Sequence, residues 1–195
     1  MQPKISCQFI NMSATEQQKA YHLRKMRTRM QRMDINHDGY ISREDFELMA
    51  KRLVEYTGEI TEEKSDAIFT TFAKVADLMG LKPGVKIPLE EAATVASDVL
   101  LSPTGEKPSG VHDMLFDCID TDSNGTISID EYKVYFKVIG HNISEEETKH
   151  CFDTIDSNGN GVISREEFIA AAEEFFYGVE ETELSNVFYG QLLPQ

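Results

Sequence analysis

Three stretches of twelve residues carry oxygen donors at fixed intervals: Asp34 to Asp45, Asp120 to Glu131 and Asp156 to Glu167. Each opens with Asp and has Asp or Asn at positions 3 and 5, Gly at 6, Ile at 8, Ser at 9 and an acid at 12. Calcium is a hard cation that takes about six to eight oxygens, and a loop of about twelve residues supplies them from positions 1, 3, 5, 7, 9 and 12, position 7 through its carbonyl. The candidate ligands in loop one are Asp34, Asn36, Asp38, the Tyr40 carbonyl and Asp45, with Ser42 acting directly or through water. In loop two they are Asp120, Asp122, Asn124, the Thr126 carbonyl and Glu131, and in loop three Asp156, Asn158, Asn160, the Val162 carbonyl and Glu167. One match of this kind can arise by chance. Three in 195 residues, two of them starting 36 residues apart, point to three calcium sites.

The loops are not equivalent. Their formal ligand charges are −3, −3 and −2 in chain order, so charge alone makes loop three the weakest. Position 12 of loop one is Asp45, where the others have Glu. Its shorter arm does not easily bind in a bidentate manner, which predicts a lower coordination number and tolerance of magnesium.

A loop of this type is the centre of a helix–loop–helix unit, the EF-hand. Leu23, Met26, Met30 and Met33 recur at spacings of three and four before loop one, so they share a helical face. Helices are expected over roughly 15–33, 43–57, 61–79, 88–101, 111–119, 129–139, 145–155 and 165–177, with a short one within 181–190. Between the third and fourth lies Gly80 to Glu91, a fourth loop that has decayed. Ile87 and Glu91 hold positions 8 and 12, but Gly80, Lys82 and Gly84 hold positions 1, 3 and 5, and Lys82 and Lys86 would repel a cation. EF-hands pair through short antiparallel bridges between their loops, here Ile41 with Ile87 and Ile127 with Ile163. The expected fold is all-α: a compact four-EF-hand globule of two pairs, the second hand degenerate. The expected organisation is an extension at 1–13, an N-terminal pair at 14–101, a linker with two prolines and two glycines at 102–110, a C-terminal pair at 111–178 and an aromatic lid or tail at 179–195.

A net charge of −15 excludes a nucleic-acid binder that relies on neutralising phosphates. Three bound calcium ions would bring it to about −9. No apolar run approaches the ~20 residues of a membrane span, and no basic segment followed by an apolar core opens the chain. A cytoplasmic monomer with no membrane or nucleic-acid partner is expected. Cys7, Cys118 and Cys151 are too few and too scattered for a disulfide framework, and the latter two read as small buried hydrophobes. The histidines, His22, His37, His112, His141 and His150, read as solvated or capping groups, and no catalytic constellation is visible.

Aromatic residues crowd the C-terminus: Phe168, Phe175, Phe176, Tyr177, Phe188 and Tyr189. They suit either a structural lid over the core or the wall of an apolar ligand cavity.

The order of active, decayed, active and active hands followed by an aromatic end resembles the invertebrate sarcoplasmic calcium-binding protein superfamily. Within it the chain is most similar to the coelenterazine-binding (luciferin-binding) proteins. The resemblance rests on Tyr21 to Met26, Thr28 to Arg32, Ile41 to Asp45, Glu90 to Ala93, Asp117 to Asp122, Gly178 to Thr182 and Phe188 to Gly190, and spans roughly residues 16–192. It implies a cavity enclosed by the four hands that holds coelenterazine without calcium and yields it to a luciferase when calcium binds. Arg29 and the aromatics near Phe188 and Tyr189 resemble ligand-contacting positions, and the expected ligand set is Met26, Arg29, Met33, Phe72, Phe176, Phe188 and Tyr189. Related photoproteins hold an oxygenated luciferin with His and Trp side chains; this chain has no Trp and no His after 150, which speaks against light emission on its own. The alternative is a sarcoplasmic-type calcium/magnesium buffer whose core is filled. A calmodulin-like sensor fits less well, because one half has a single working loop. No enzymatic activity is expected.

Overall fold

The computed structural model describes residues 14–102, 110–139 and 143–194. The expected extension, most of the expected linker, Cys7, His141 and Gln195 lie outside the described residues. The elements run α1 (Glu16–Met33), β1 (Tyr40–Ser42), α2 (Arg43–Thr57), α3 (Glu62–Leu78), β2 (Lys86–Pro88), α4 (Leu89–Leu101), α5 (Val111–Ile119), β3 (Thr126–Ser128), α6 (Ile129–Ile139), α7 (Glu145–Ile155), β4 (Val162–Ser164), α8 (Arg165–Tyr177) and α9 (Glu183–Val187). No described helix is long and apolar enough to cross a membrane.

Each loop sets the start of the helix that follows it. Ser42 and Ser164, at loop position 9, are the N-caps of α2 and α8, and Asp45 and Glu167, at position 12, complete capping boxes. Such a box satisfies two N–H groups that a helix start leaves without partners. Ser128 and Glu131 repeat the arrangement at α6, the Ser128 N–H donating to Glu131 Oε2 at 2.9 Å. The position-12 acid therefore has a structural role before any metal arrives.

The two bridges form in the expected register. β1 pairs antiparallel with β2, setting Ile41 opposite Ile87. β3 pairs with β4, setting Ile127 opposite Ile163. Ile41, Ile127 and Ile163 are fully buried. The decayed hand thus keeps its frame although its ligands are gone. α1 packs on α4, while α2 packs on α3 and α6, so elements of both pairs share one core.

The chain ends are joined side by side. Arg24 Nε donates to the Leu193 carbonyl at 2.6 Å, and the Leu193 N–H donates to Thr28 Oγ1 at 3.1 Å. Tyr21 OH lies 2.5 Å from Ser185 Oγ on α9. Lys25 is buried and donates to the carbonyls of Gly178 (2.7 Å) and Glu174 (3.2 Å), closing the C-terminal end of α8. Burial lowers its ammonium to about 8, against the pull of Glu174.

His22 departs from the sequence expectation in part. It is not solvated but completely buried, bridging α1, α4 and α8 and capping a last-turn carbonyl of α8. Its Nε2 donates to the Phe176 carbonyl at 2.8 Å, which can only accept, so Nδ1 of the neutral ring accepts from Ser97 Oγ at 2.9 Å. Burial holds its pKa below the usual histidine value, and nearby Lys25 pushes the same way. The unfolded chain then takes up this proton before the folded one does. His22 therefore costs stability as pH falls below about 6.5. Thermal melts of calcium-free protein should fall over that range, and His22→Gln should flatten the slope; an unchanged slope would refute the assignment.

Candidate functional site

The three loops close around their position-1 aspartates in one pattern. The position-5 and position-6 N–H groups donate to Asp34 at 3.2 and 3.0 Å, to Asp120 at 3.0 and 2.9 Å, and to Asp156 at 3.1 and 2.8 Å. Asn36, Asp122 and Asn158 accept from the position-5 N–H, each at 3.0 Å. Position-5 side chains accept from the position-7 N–H, as Asn160 does from Val162 at 3.0 Å. Gly39, Gly125 and Gly161 at position 6 have φ between 82° and 89°, where a β-carbon would be strained. The loops are thus preformed, with side-chain oxygens turned inward by their own backbone.

Position 12 closes each ring. Glu131 Oε1 accepts from the Thr121 N–H at 2.8 Å, and Glu167 Oε1 accepts from Asn158 Nδ2 at 2.7 Å. Asp45, despite its shorter arm, reaches the same region: Oδ1 accepts from the Ile35 N–H at 3.0 Å and Oδ2 from the Ser42 N–H at 2.9 Å. Among the described residues one set of three carboxylates, Asp120, Asp122 and Glu131, brings ligand oxygens within 4.8 Å of one another. An all-oxygen set of this charge fits calcium, with Glu131 able to turn both oxygens onto the ion. Burial pushes the Asp120 carboxyl above the usual aspartate range, against the Gly125 and Asn124 N–H groups that pull it down. A cation bound in loop two would relieve that cost.

Lys64, at the start of α3, touches loop two from the other pair. Its ammonium donates to the carbonyls of Asp120 (2.5 Å) and Asp117 (2.6 Å) and to Ser123 Oγ (3.0 Å).

The second feature is an apolar cavity of about 300 Å³. Val75 of α3 and Met79 at its C-cap, Val95 and Val99 of α4, His112 of α5 and Phe176 of α8 line it, with Arg29 of α1 and the bridge residues Ile41 and Ile87. Leu78, Val95 and Val99 are at least half exposed and form an apolar rim. Arg29 lies with its guanidinium carbon 5.0 Å from the Phe176 ring centre and its Nη2 3.6 Å from Met79 Sδ. Its Nε is buried with no hydrogen-bond partner among the described residues. A charged donor left unsatisfied in an apolar wall is costly, so it points to an acceptor that belongs there. His112 stacks on Phe176 at 5.0 Å; burial lowers its pKa, with Arg29 adding to the effect and Glu173 and Asp113 opposing it.

Of the expected ligand set, Arg29 and Phe176 line this cavity. Met26, Met33, Phe72, Phe188 and Tyr189 do not; they are packed in the core. Phe188 and Tyr189 sit over Phe175 at 5.6 and 5.1 Å and so support the cavity wall from behind. The sequence reading missed His112, which looked like a scattered histidine, and the valines of α3 and α4, whose spacing marks only an apolar helix face.

Comparison with known proteins bears on both features. Family descriptions match residues 114–173 as an EF-hand domain pair and residues 26–50 as an EF hand. The luciferin-binding protein of Renilla reniformis is 46% identical over 182 residues, 92% of this chain and 98% of that one. The crystal structure of coelenterazine-binding protein from Renilla muelleri, in the calcium-loaded apo form, superposes with a TM-score of 0.81 at 45% identity, covering 92% of this chain and 100% of that one. The photoprotein clytin superposes at 0.69 with 19% identity, covering 94% of this chain and 100% of that one, a likeness of fold alone.

Proposed function

The chain belongs to the luciferin-binding proteins of the EF-hand superfamily, and from that premise we propose that it carries a coelenterazine-type luciferin and yields it to a luciferase when calcium fills its loops. The observation that carries this reading is the unsatisfied Arg29 Nε in the wall of an apolar cavity. Coelenterazine offers flat aromatic surface for Phe176 and His112 and an oxygen acceptor for Arg29. The protein's part is binding and release; oxidation belongs to the partner enzyme.

The loops and the cavity share residues, which supplies the coupling. Ile41, at position 8 of loop one, lies in the cavity wall. Phe176 and Tyr177 end α8, the helix whose N-terminal capping box includes Glu167 of loop three. Bound calcium supplies a hard positive centre in each loop. Asp45, Glu131 and Glu167 then leave their backbone N–H partners, and the helices they cap shift with them. A wall built on α8 and Ile41 cannot stay fixed when they move. Calcium and luciferin therefore weaken each other's binding by the same factor. Asp45 makes loop one the site most tolerant of magnesium.

A second reading, a calcium buffer without small ligand, is favoured by the packing of Met26, Met33, Phe72, Phe188 and Tyr189 into the core. The two separate in one experiment. Calcium-free protein incubated with coelenterazine should co-elute with it one to one on gel filtration, and calcium should reduce the bound fraction. Arg29→Met should weaken binding by about 10- to 100-fold, the worth of one charge-assisted hydrogen bond, with calcium titration unchanged. Absence of co-elution in either condition would leave the buffer.

A further inference from the structure

We infer that Lys86 of the degenerate loop sets the divalent-cation affinity of loop one, as a tethered ammonium that competes for the position-5 carboxylate. The inference rests on the calcium reading of loop one and adds a residue outside the ligand set. Lys86 Nζ lies 2.5 Å from Asp38 Oδ2. The other oxygen, Oδ1, accepts from the Tyr40 N–H at 3.0 Å. Both oxygens of Asp38 are therefore engaged, and a cation entering loop one can take Oδ2 only by displacing the ammonium.

The contact is held by the backbone. Lys86 stands opposite Ser42, position 9 of loop one, in the β1–β2 register. That register places the lysine beside its neighbour's ligands, within reach of Asp38. The C-terminal pair shows what an ordinary hand has there: Val162 stands opposite Ser128, and Thr126 opposite Ser164. Position 5 is also neutral in those loops, Asn124 and Asn160, so neither could hold such a pair. Loop one alone combines an acid at position 5 with a cation across the bridge. The degenerate hand thus has a task beyond scaffolding: it lowers the affinity of the hand it pairs with.

The magnitude follows from exposure. With Lys86 48% and Asp38 29% exposed, the ion pair is worth about two- to fivefold. Repulsion between the retained ammonium and a divalent ion adds roughly as much in water. Removing the charge should tighten loop one by roughly 4- to 25-fold.

Tyr40 makes the test specific. It occupies position 7 of loop one, where loops two and three have Thr126 and Val162, so the part of the tyrosine-excited terbium emission that Tyr40→Phe removes reports loop one, Tyr132 beside Glu131 accounting for any remainder at loop two. The full-length protein would be loaded with terbium and titrated with calcium, comparing wild type with Lys86→Met, Lys86→Gln and Lys82→Met. Lys82 has the same charge on the same loop and tests a general field effect. Tighter calcium at loop one in both Lys86 variants, with Lys82→Met within twofold of wild type, is the expected result. Unchanged or weaker affinity in the Lys86 variants overturns the inference, and so does an equal gain in Lys82→Met. If wild type shows no terbium emission that Tyr40→Phe removes and calcium displaces, the calcium reading of loop one fails and the inference with it.

Discussion

Phe175→Ala should lower the stability of the calcium-free protein by about 4 kcal/mol and its Tm by roughly 12 °C. Phe175 is fully buried at the meeting point of α1, α8 and the C-terminal segment. Its ring lies 5.3 Å from Phe176, 5.6 Å from Phe188 and 5.1 Å from Tyr189, and the Lys25 ammonium sits 5.5 Å from its centre. These partners come from three segments, so the gap left by the ring cannot close by moving one of them. The lost cation–π contact leaves Lys25 more exposed to its desolvation cost. Urea unfolding with a chelator present is the right measurement, because bound calcium adds stability of its own. Phe69→Ala, at a side chain 42% exposed, should cost less than about 0.5 kcal/mol. A loss under about 2 kcal/mol at Phe175 would mean that the aromatic end is not a shared core.

Glu131→Gln should remove loop two from the calcium titration, weakening it by about a hundredfold or more while loops one and three titrate as before. An amide of the same shape keeps one acceptor: its oxygen can take the Thr121 or the Ser128 N–H, and its NH2 then faces the other donor, so the variant weakens the loop as well as its charge. It cannot offer two anionic oxygens. Calorimetry should count two sites in place of three over the micromolar range. Asp122→Asn, which removes one unit of charge and keeps the oxygen, should cost about tenfold. Three sites of wild-type affinity in Glu131→Gln would refute the ligand assignment.

The helices were legible because the loops pin both ends of each hand. A position-9 serine and a position-12 acid are at once metal-loop residues and a capping box, so Arg43, Ile129 and Arg165 as helix starts follow from the motif itself. The bridges were legible for the same reason. What the sequence hides is any partnership between distant residues. His22 has neighbours 75 and 154 positions away, and nothing near it in the chain distinguishes it from a surface histidine. Lys64 reaches loop two from 56 positions upstream of Asp120. The cavity is hidden more deeply: a valine at Val75 or Val95 shows a helical apolar face, and whether that face meets another or leaves a gap depends on helix crossings that periodicity does not encode. The resemblance placed Arg29 among ligand-contacting positions, and the structure sets it in the cavity wall, whereas Met26, Met33, Phe72, Phe188 and Tyr189 are packed in the core.

The stitching of α1 to the last residues bears on how the protein is made. Arg24, Thr28 and Tyr21 find partners at Leu193 and Ser185, more than 160 positions later. On a ribosome, α1 emerges more than 160 residues before the segment that covers its far side. Contacts of such sequence separation slow folding, since the loop they close must be ordered before they return any energy. Tyr21 and Thr28, on the side of α1 that the tail reaches, are buried in the finished fold, and that side stays open to other chains during the interval. Synthesis near calcium-replete loops would shorten it, because hands that close early hold α1 in place for the tail to find.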